Sequence, residues 1–102
     1  MRIFHLILII SLITACGGPT IDMTTASTLK SSLRTMTNEM SSDESKRFKD
    51  NFNLVISYYT ILWSMTKNEE EIRISLYKKL HGKSVKDIES MAKEIRKSAN
   101  NS

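Results

Sequence analysis

From Ala26 onward the apolar residues recur at helical spacing. Ala26, Leu29, Leu33, Met36 and Met40 are three or four residues apart throughout, which places them on one face of a first helix. Thr24 or Thr25 stands ahead of that face as an N-cap. Ser41 and Glu44 then have the spacing of a capping box and open a longer helix. Its first stripe is Phe48, Phe52, Val55, Tyr59 and Leu62, and a second stripe, Leu54, Tyr58, Ile61 and Met65, begins partway along. With Trp63 added, the helix is apolar nearly all round from Leu54 to Met65, a pattern expected of a helix buried on several sides.

Thr66-Lys67-Asn68 interrupts this pattern, and Glu69-Glu70-Glu71 follows where a helix N-terminus favours negative charge. Ile72, Leu76 and Leu80 form the face of a short third helix, with Ile74 and Tyr77 beside it. Gly82 is placed as its left-handed C-cap. Ser84 to Asp87 forms another capping-box pattern, and Val85, Ile88, Met91, Ala92 and Ile95 give the inner face of a fourth helix. No stretch alternates with a period of two for more than a few residues. The pattern predicts an all-α fold, a small four-helix domain over residues 25–97 with a disordered tail over 98–102.

The N-terminal region follows a different pattern. Met1-Arg2 is a short positive start, and Ile3 to Ile13 is an almost wholly apolar run. About 11 residues is the length of a signal-peptide core and well short of the roughly 20 needed to span a bilayer. Ile13-Thr14-Ala15-Cys16 resembles the lipobox cut by the lipoprotein signal peptidase. The expectation is a removed signal over residues 1–15, cleavage between Ala15 and Cys16, and lipidation of the Cys16 thiol. Diacylglycerol and a further acyl chain on Cys16 would make the anchor durable, whereas one chain alone binds weakly. Residues 16–24, with Gly17, Gly18 and Pro19, are expected to be a flexible tether holding the domain close to the membrane. Gly17 is not the aspartate that favours inner-membrane retention. In a Gram-negative host the destination is therefore the inner, periplasmic face of the outer membrane.

Cys16 is the only cysteine, so no internal disulfide can support this small domain. The net charge is +4, unevenly distributed. Residues 17–71 hold six basic and eight acidic side chains, and residues 72–102 hold eight and three. Lys78, Lys79, Lys83, Lys86, Lys93, Arg96 and Lys97 crowd the last two helices, where an anionic membrane surface would attract them. Nucleic acid is the wrong partner for an exported, tethered protein.

Catalytic chemistry finds little support in the residues. After signal removal His81 is the only histidine, beside a helix-ending glycine where it favours the negative helix end. Lipid consumes the thiol, and one histidine at a helix terminus supports no Ser-His-acid set. The acidic clusters at Asp43-Glu44 and Glu69-Glu70-Glu71 are accounted for as helix starts. No spacing suggests zinc or calcium, and Gly82-Lys83-Ser84 lacks both the first glycine and the preceding strand of a phosphate loop. No catalytic residue, metal or cofactor is expected. Tyr58, Tyr59 and Trp63 form the candidate partner surface, since Tyr and Trp are frequent interface anchors.

Several segments together are similar to a family of small bacterial lipoproteins whose domain has no assigned function. They are the lipobox, Pro19-Thr20-Ile21-Asp22, Leu29-Lys30-Ser31-Ser32-Leu33, the Ser/Asp/Glu-rich cap and the Phe48–Phe52–Leu54 helix. Most specific is Leu80-His81-Gly82-Lys83-Ser84 leading into Val85-Lys86-Asp87-Ile88-Glu89. The resemblance spans about residues 13–97 and departs at the aromatic-rich Tyr58–Met65 stretch. It implies a lipoprotein with a helical domain and carries no activity with it. The resulting expectation is a membrane-anchored envelope protein that acts by binding, with an envelope protein or a second copy as its partner. Alternatives are a self-associating structural protein of the envelope and an immunity or superinfection-exclusion lipoprotein.

Overall fold

The computed structural model describes residues 18–100. The expected signal, its cleavage site at Ala15 and Cys16, and the last two residues lie outside the described residues. The fold is all-α, with four helices: α1 (Ala26–Thr37), α2 (Ser42–Ser64), α3 (Glu69–Leu80) and α4 (Val85–Asn100). Residues 98–100, expected in the tail, continue α4.

Each helix begins at a reciprocal cap. Thr25 and Thr28 satisfy each other's backbone N–H ahead of α1, as do Ser41 and Glu44 ahead of α2. Asn68 and Glu71 do the same for α3. Ser84 N–H donates to Asp87 Oδ2 at 3.0 Å, and Asp87 N–H donates to Ser84 Oγ at 3.2 Å, at the start of α4. A side-chain N-cap of this kind stabilises a helix by about 1 kcal/mol. Gly82 sits at φ +82°, the left-handed conformation expected of the residue that ends α3.

The hub is α2, against which the other three helices chiefly pack. α4 runs parallel to it. Val85 and Glu89 share a small cavity with Glu44 and Arg47 near the start of α2, while Glu94, Ile95 and Ser98 share a groove with Tyr58 and Tyr59 further along. The core comprises Met36 of α1, Phe48, Phe52 and Val55 of α2, Leu80 of α3, and Ile88, Ala92 and Ile95 of α4. These are the positions that helical spacing selects. Each fully buried aliphatic or aromatic side chain contributes about 1.5–3 kcal/mol.

Two expectations change. Ile21, placed in the flexible tether, is 1% exposed and part of the core. Its N–H donates to Lys83 O at 2.9 Å, Gly82 N–H donates to Ile21 O at 2.8 Å, and Thr20 forms an isolated antiparallel bridge with Ser84. A three-residue pairing is too short to show as alternation, so the folded body begins at Thr20. The distal part of α2 is also not buried on several sides: Ile61 is 66% and Met65 78% exposed. Among the described residues only α3 and the end of α4 reach that level of the bundle, and one side of the helix there is exposed.

Candidate functional site

The three aromatic residues singled out in the sequence lie together on α2, but they do not share one environment. Tyr59 and Trp63, four residues apart, turn to the same side, with ring centroids 5.0 Å apart and planes tilted by 32°. Both are half-buried. Lys79 of α3 places its Nζ 4.7 Å from the Tyr59 ring centre, a cation–π contact across the α2–α3 hairpin. Tyr58 packs edge-on against Tyr59 at 5.0 Å and is itself exposed. Tyr59 and Trp63 are thus shared between helix packing and surface, whereas Tyr58 belongs to the surface.

The more open surface is one that aromatic content alone did not select. Tyr58, Ile61, Leu62 and Met65 follow one another at helical spacing and are all exposed. Together they form an apolar stripe about 10 Å long on the uncovered side of α2. Ile74 and Tyr77 are exposed on α3. They are three residues apart, on one side of that helix.

The N-terminal segment joins the body at the other end. Thr20 and Ile21 pair with Ser84, Lys83 and Gly82, just ahead of α4, and α4 begins beside the start of α2. The chain leading from Cys16 therefore enters about 20 Å along α2 from the exposed stripe. His81 fastens the junction. Met23 N–H donates to its Nδ1 at 3.0 Å, and its ring stacks on Tyr77 with centroids 4.5 Å apart. This hydrogen bond ties the imidazole to the entering strand. Asp22 Oδ1 lies 3.9 Å from the same Nδ1 and accepts from Thr24 N–H at 2.9 Å. The Thr24 hydroxyl and backbone N–H hold the Asp22 carboxyl below its ordinary value of 3.8. The backbone N–H of Ser84 does the same for Asp87.

Crevices flank α2 on both sides. Between α1 and α2, Leu33, Phe48 and Phe52 line a groove of about 460 Å³ whose other walls include Lys30, Arg34 and Lys49. Between α2 and α4 lies a more polar crevice of about 450 Å³ containing Asn51. Asn51 is in phase with Phe48 and Val55, a polar residue at a core position. That phase is the signal that could have identified it in the sequence.

Among the described residues no group of three or more His, Cys, Asp or Glu side chains is placed to hold a metal ion. No helix among them is long and apolar enough to cross a membrane. No protein family, no curated protein and no solved structure matches this chain.

Proposed function

We propose that this chain is a lipid-anchored protein of the bacterial cell envelope that acts by binding, and that its partner docks on the distal half of α2. The observation that carries the binding reading is the uncovered stripe Tyr58, Ile61, Leu62 and Met65, at the end of the bundle away from the segment leading to Cys16. A monomeric domain gains nothing by leaving four large apolar side chains in water, and such patches mark interaction sites. The anchor reading is supported by the Ile3–Ile13 run and the Ile13-Thr14-Ala15-Cys16 lipobox. Because Thr20 already belongs to the body, Cys16 stands within about 14 Å of it at full chain extension. On this reading the bundle is held at the membrane by one end and presents its apolar stripe at the other. In a Gram-negative host that places it on the periplasmic face of the outer membrane.

Two measurements test the two halves of this reading. Cys16→Ala should leave an unprocessed, unlipidated precursor; normal maturation of that variant refutes the lipobox. A photo-crosslinker at position 61 of the lipidated protein should capture a discrete partner or a second copy. One at Lys86, on the opposite end of the molecule, should not. Loss of that capture in Met65→Glu, with the helical circular dichroism spectrum intact, is the expected result. Identical capture from both positions removes the stripe from the reading.

A further inference from the structure

Residues 51–66 of α2 and the turn after it carry no Lys, Arg, Asp or Glu, the longest such run among the described residues. Within it Leu54, Tyr58, Ile61 and Met65 are spaced four, three and four residues apart, the alternation of a coiled-coil seam. Leu54 is partly buried against the core, and exposure then rises along the seam from 38% at Tyr58 to 66% at Ile61 and 78% at Met65. Leu62, also exposed, lies beside Ile61. The other exposed side chains of the run, Asn53, Ser57, Ser64 and Thr66, are polar and neutral. Such a face offers no charge to a charged partner, and it lacks the Lys and Arg flanks with which an interfacial helix holds an anionic membrane. It is compatible with itself. In a parallel two-fold pair each side chain on the axis meets its own copy, so any charge there would face a like charge.

We infer that the partner docking on this stripe is a second copy of the chain, with the two α2 helices parallel and in register along Leu54, Tyr58, Ile61 and Met65. The inference rests on the lipid-anchor and docking readings above. Thr20 and Ile21 join the body about 20 Å along α2 from the stripe, so two copies held in one membrane by their N-terminal segments stand the same way up. Their stripes then lie at one height, and a two-fold axis along the membrane normal brings them face to face. From Leu54 to Met65 the seam is about 16 Å long. A contact so short buries less than the roughly 800 Å² per partner typical of a stable soluble complex. Anchoring supplies what the area lacks. Two copies confined to one surface meet as linked modules do, at an effective concentration in about the millimolar range. Pairing is therefore a property of the anchored protein and is weak in the released one.

Disulfide trapping of the lipidated protein in bacterial membranes tests this. A disulfide needs Cα atoms about 4.4–6.8 Å apart, which in-register positions on the axis meet and positions off the seam do not. Lipidation consumes the Cys16 thiol, so an engineered cysteine is the only free one. Under mild oxidation Ile61→Cys and Met65→Cys should each give a dimer of twice the chain mass. The yield should be at least about tenfold that of Ser64→Cys, which is exposed on α2 away from the seam. Ile61→Lys made in the Met65→Cys chain sets two ammonium groups against each other and should lose that dimer. Its helical circular dichroism spectrum should be unchanged, because Ile61 is exposed. No dimer from either seam position, or equal yields from Ile61→Cys and Ser64→Cys, overturns the inference. Crosslinks that form between Tyr58→Cys and Met65→Cys chains but not within either overturn the parallel register. A disulfide from Ile61→Cys to a different protein overturns the second copy and leaves the docking reading standing. Dimers of the parent chain through a free Cys16 thiol refute the anchor reading and the inference with it.

Discussion

The two halves of α2 use similar residues for opposite ends. Between Ser42 and Val55 the helix carries Phe48, Phe52 and Val55, each at most 6% exposed, and α1 and α4 cover them. Over the next turns it carries Tyr58, Ile61, Leu62 and Met65, equally apolar, and leaves them in water. Hydrophobicity therefore does not decide burial here; the reach of the neighbouring helices does. Among the described residues α3 covers the side of α2 that bears Tyr59 and Trp63, and α4 is described as far as Asn100, near the level of Tyr58 and Leu62. The core half holds the bundle together, and the distal half leaves its stripe exposed.

Truncating one side chain in each half should separate the two most widely. Phe52→Ala should cost about 3–5 kcal/mol, since it removes a buried ring and leaves a cavity. A domain of this size has about 3–5 kcal/mol in total, so the variant should be largely unfolded by circular dichroism at 25 °C. Met65→Ala should stay within about 0.5 kcal/mol of the parent in denaturant unfolding. Similar losses in both would mean that the distal stripe is covered in solution. Ile21→Ala extends the comparison to the entering segment. It should cost about 2–5 kcal/mol, as a core residue does, although Ile21 lies outside every helix.

Spacing and caps made most of the fold legible. The capping boxes at Ser41–Glu44 and Ser84–Asp87, the left-handed Gly82 and the inner face of α4 all lie where the residues place them. Ile21 was not legible, because its burial depends on a pairing with Gly82 and Lys83 about sixty residues away. The environments of Tyr58 and Trp63 were legible only in part. A helix apolar nearly all round reads as buried, and nothing local to Ile61 or Met65 records their exposure. Asn51 is the reverse case. Its polar side chain at a core phase is visible in the sequence, but the burial of its Oδ1 without a hydrogen-bond donor is a property of the assembled fold.

Trp63 lies between the two halves and sharpens the contrast. It is half-buried against Tyr59, so Trp63→Ala should cost about 2 kcal/mol, less than Phe52→Ala and more than Met65→Ala. If the stripe is the docking surface, partner capture should fall further in Ile61→Glu with Met65→Glu than in Trp63→Ala. The double variant should be nearly as stable as the parent, which separates association from folding. Parallel losses of stability and capture in both would assign the distal half to the core after all.

The smallest effect is expected from acid, and it falls at the end where the N-terminal segment enters the bundle. Asp22 and Asp87 both have carboxyls held below the ordinary value of 3.8 by hydrogen bonds from Thr24 and Ser84. A carboxyl whose folded value is depressed contributes stability that is fully present above its unfolded value and is lost as pH falls through the folded one. Thermal midpoints should therefore be steady above about pH 5 and decline below about pH 4. Both groups flank the junction where Thr20 and Ile21 meet Lys83 and Ser84, so their protonation weakens the hold on the entering strand. Asp22→Asn with Asp87→Asn should start from a slightly lower midpoint at pH 7 and decline less steeply below pH 4, because the lost contribution is already missing. Trp63 is the only tryptophan, so its fluorescence reports the distal half alone. It should change with acid only as the whole domain melts. An acid-induced fluorescence change that precedes loss of helix would mean that the distal half, and not the junction, yields first.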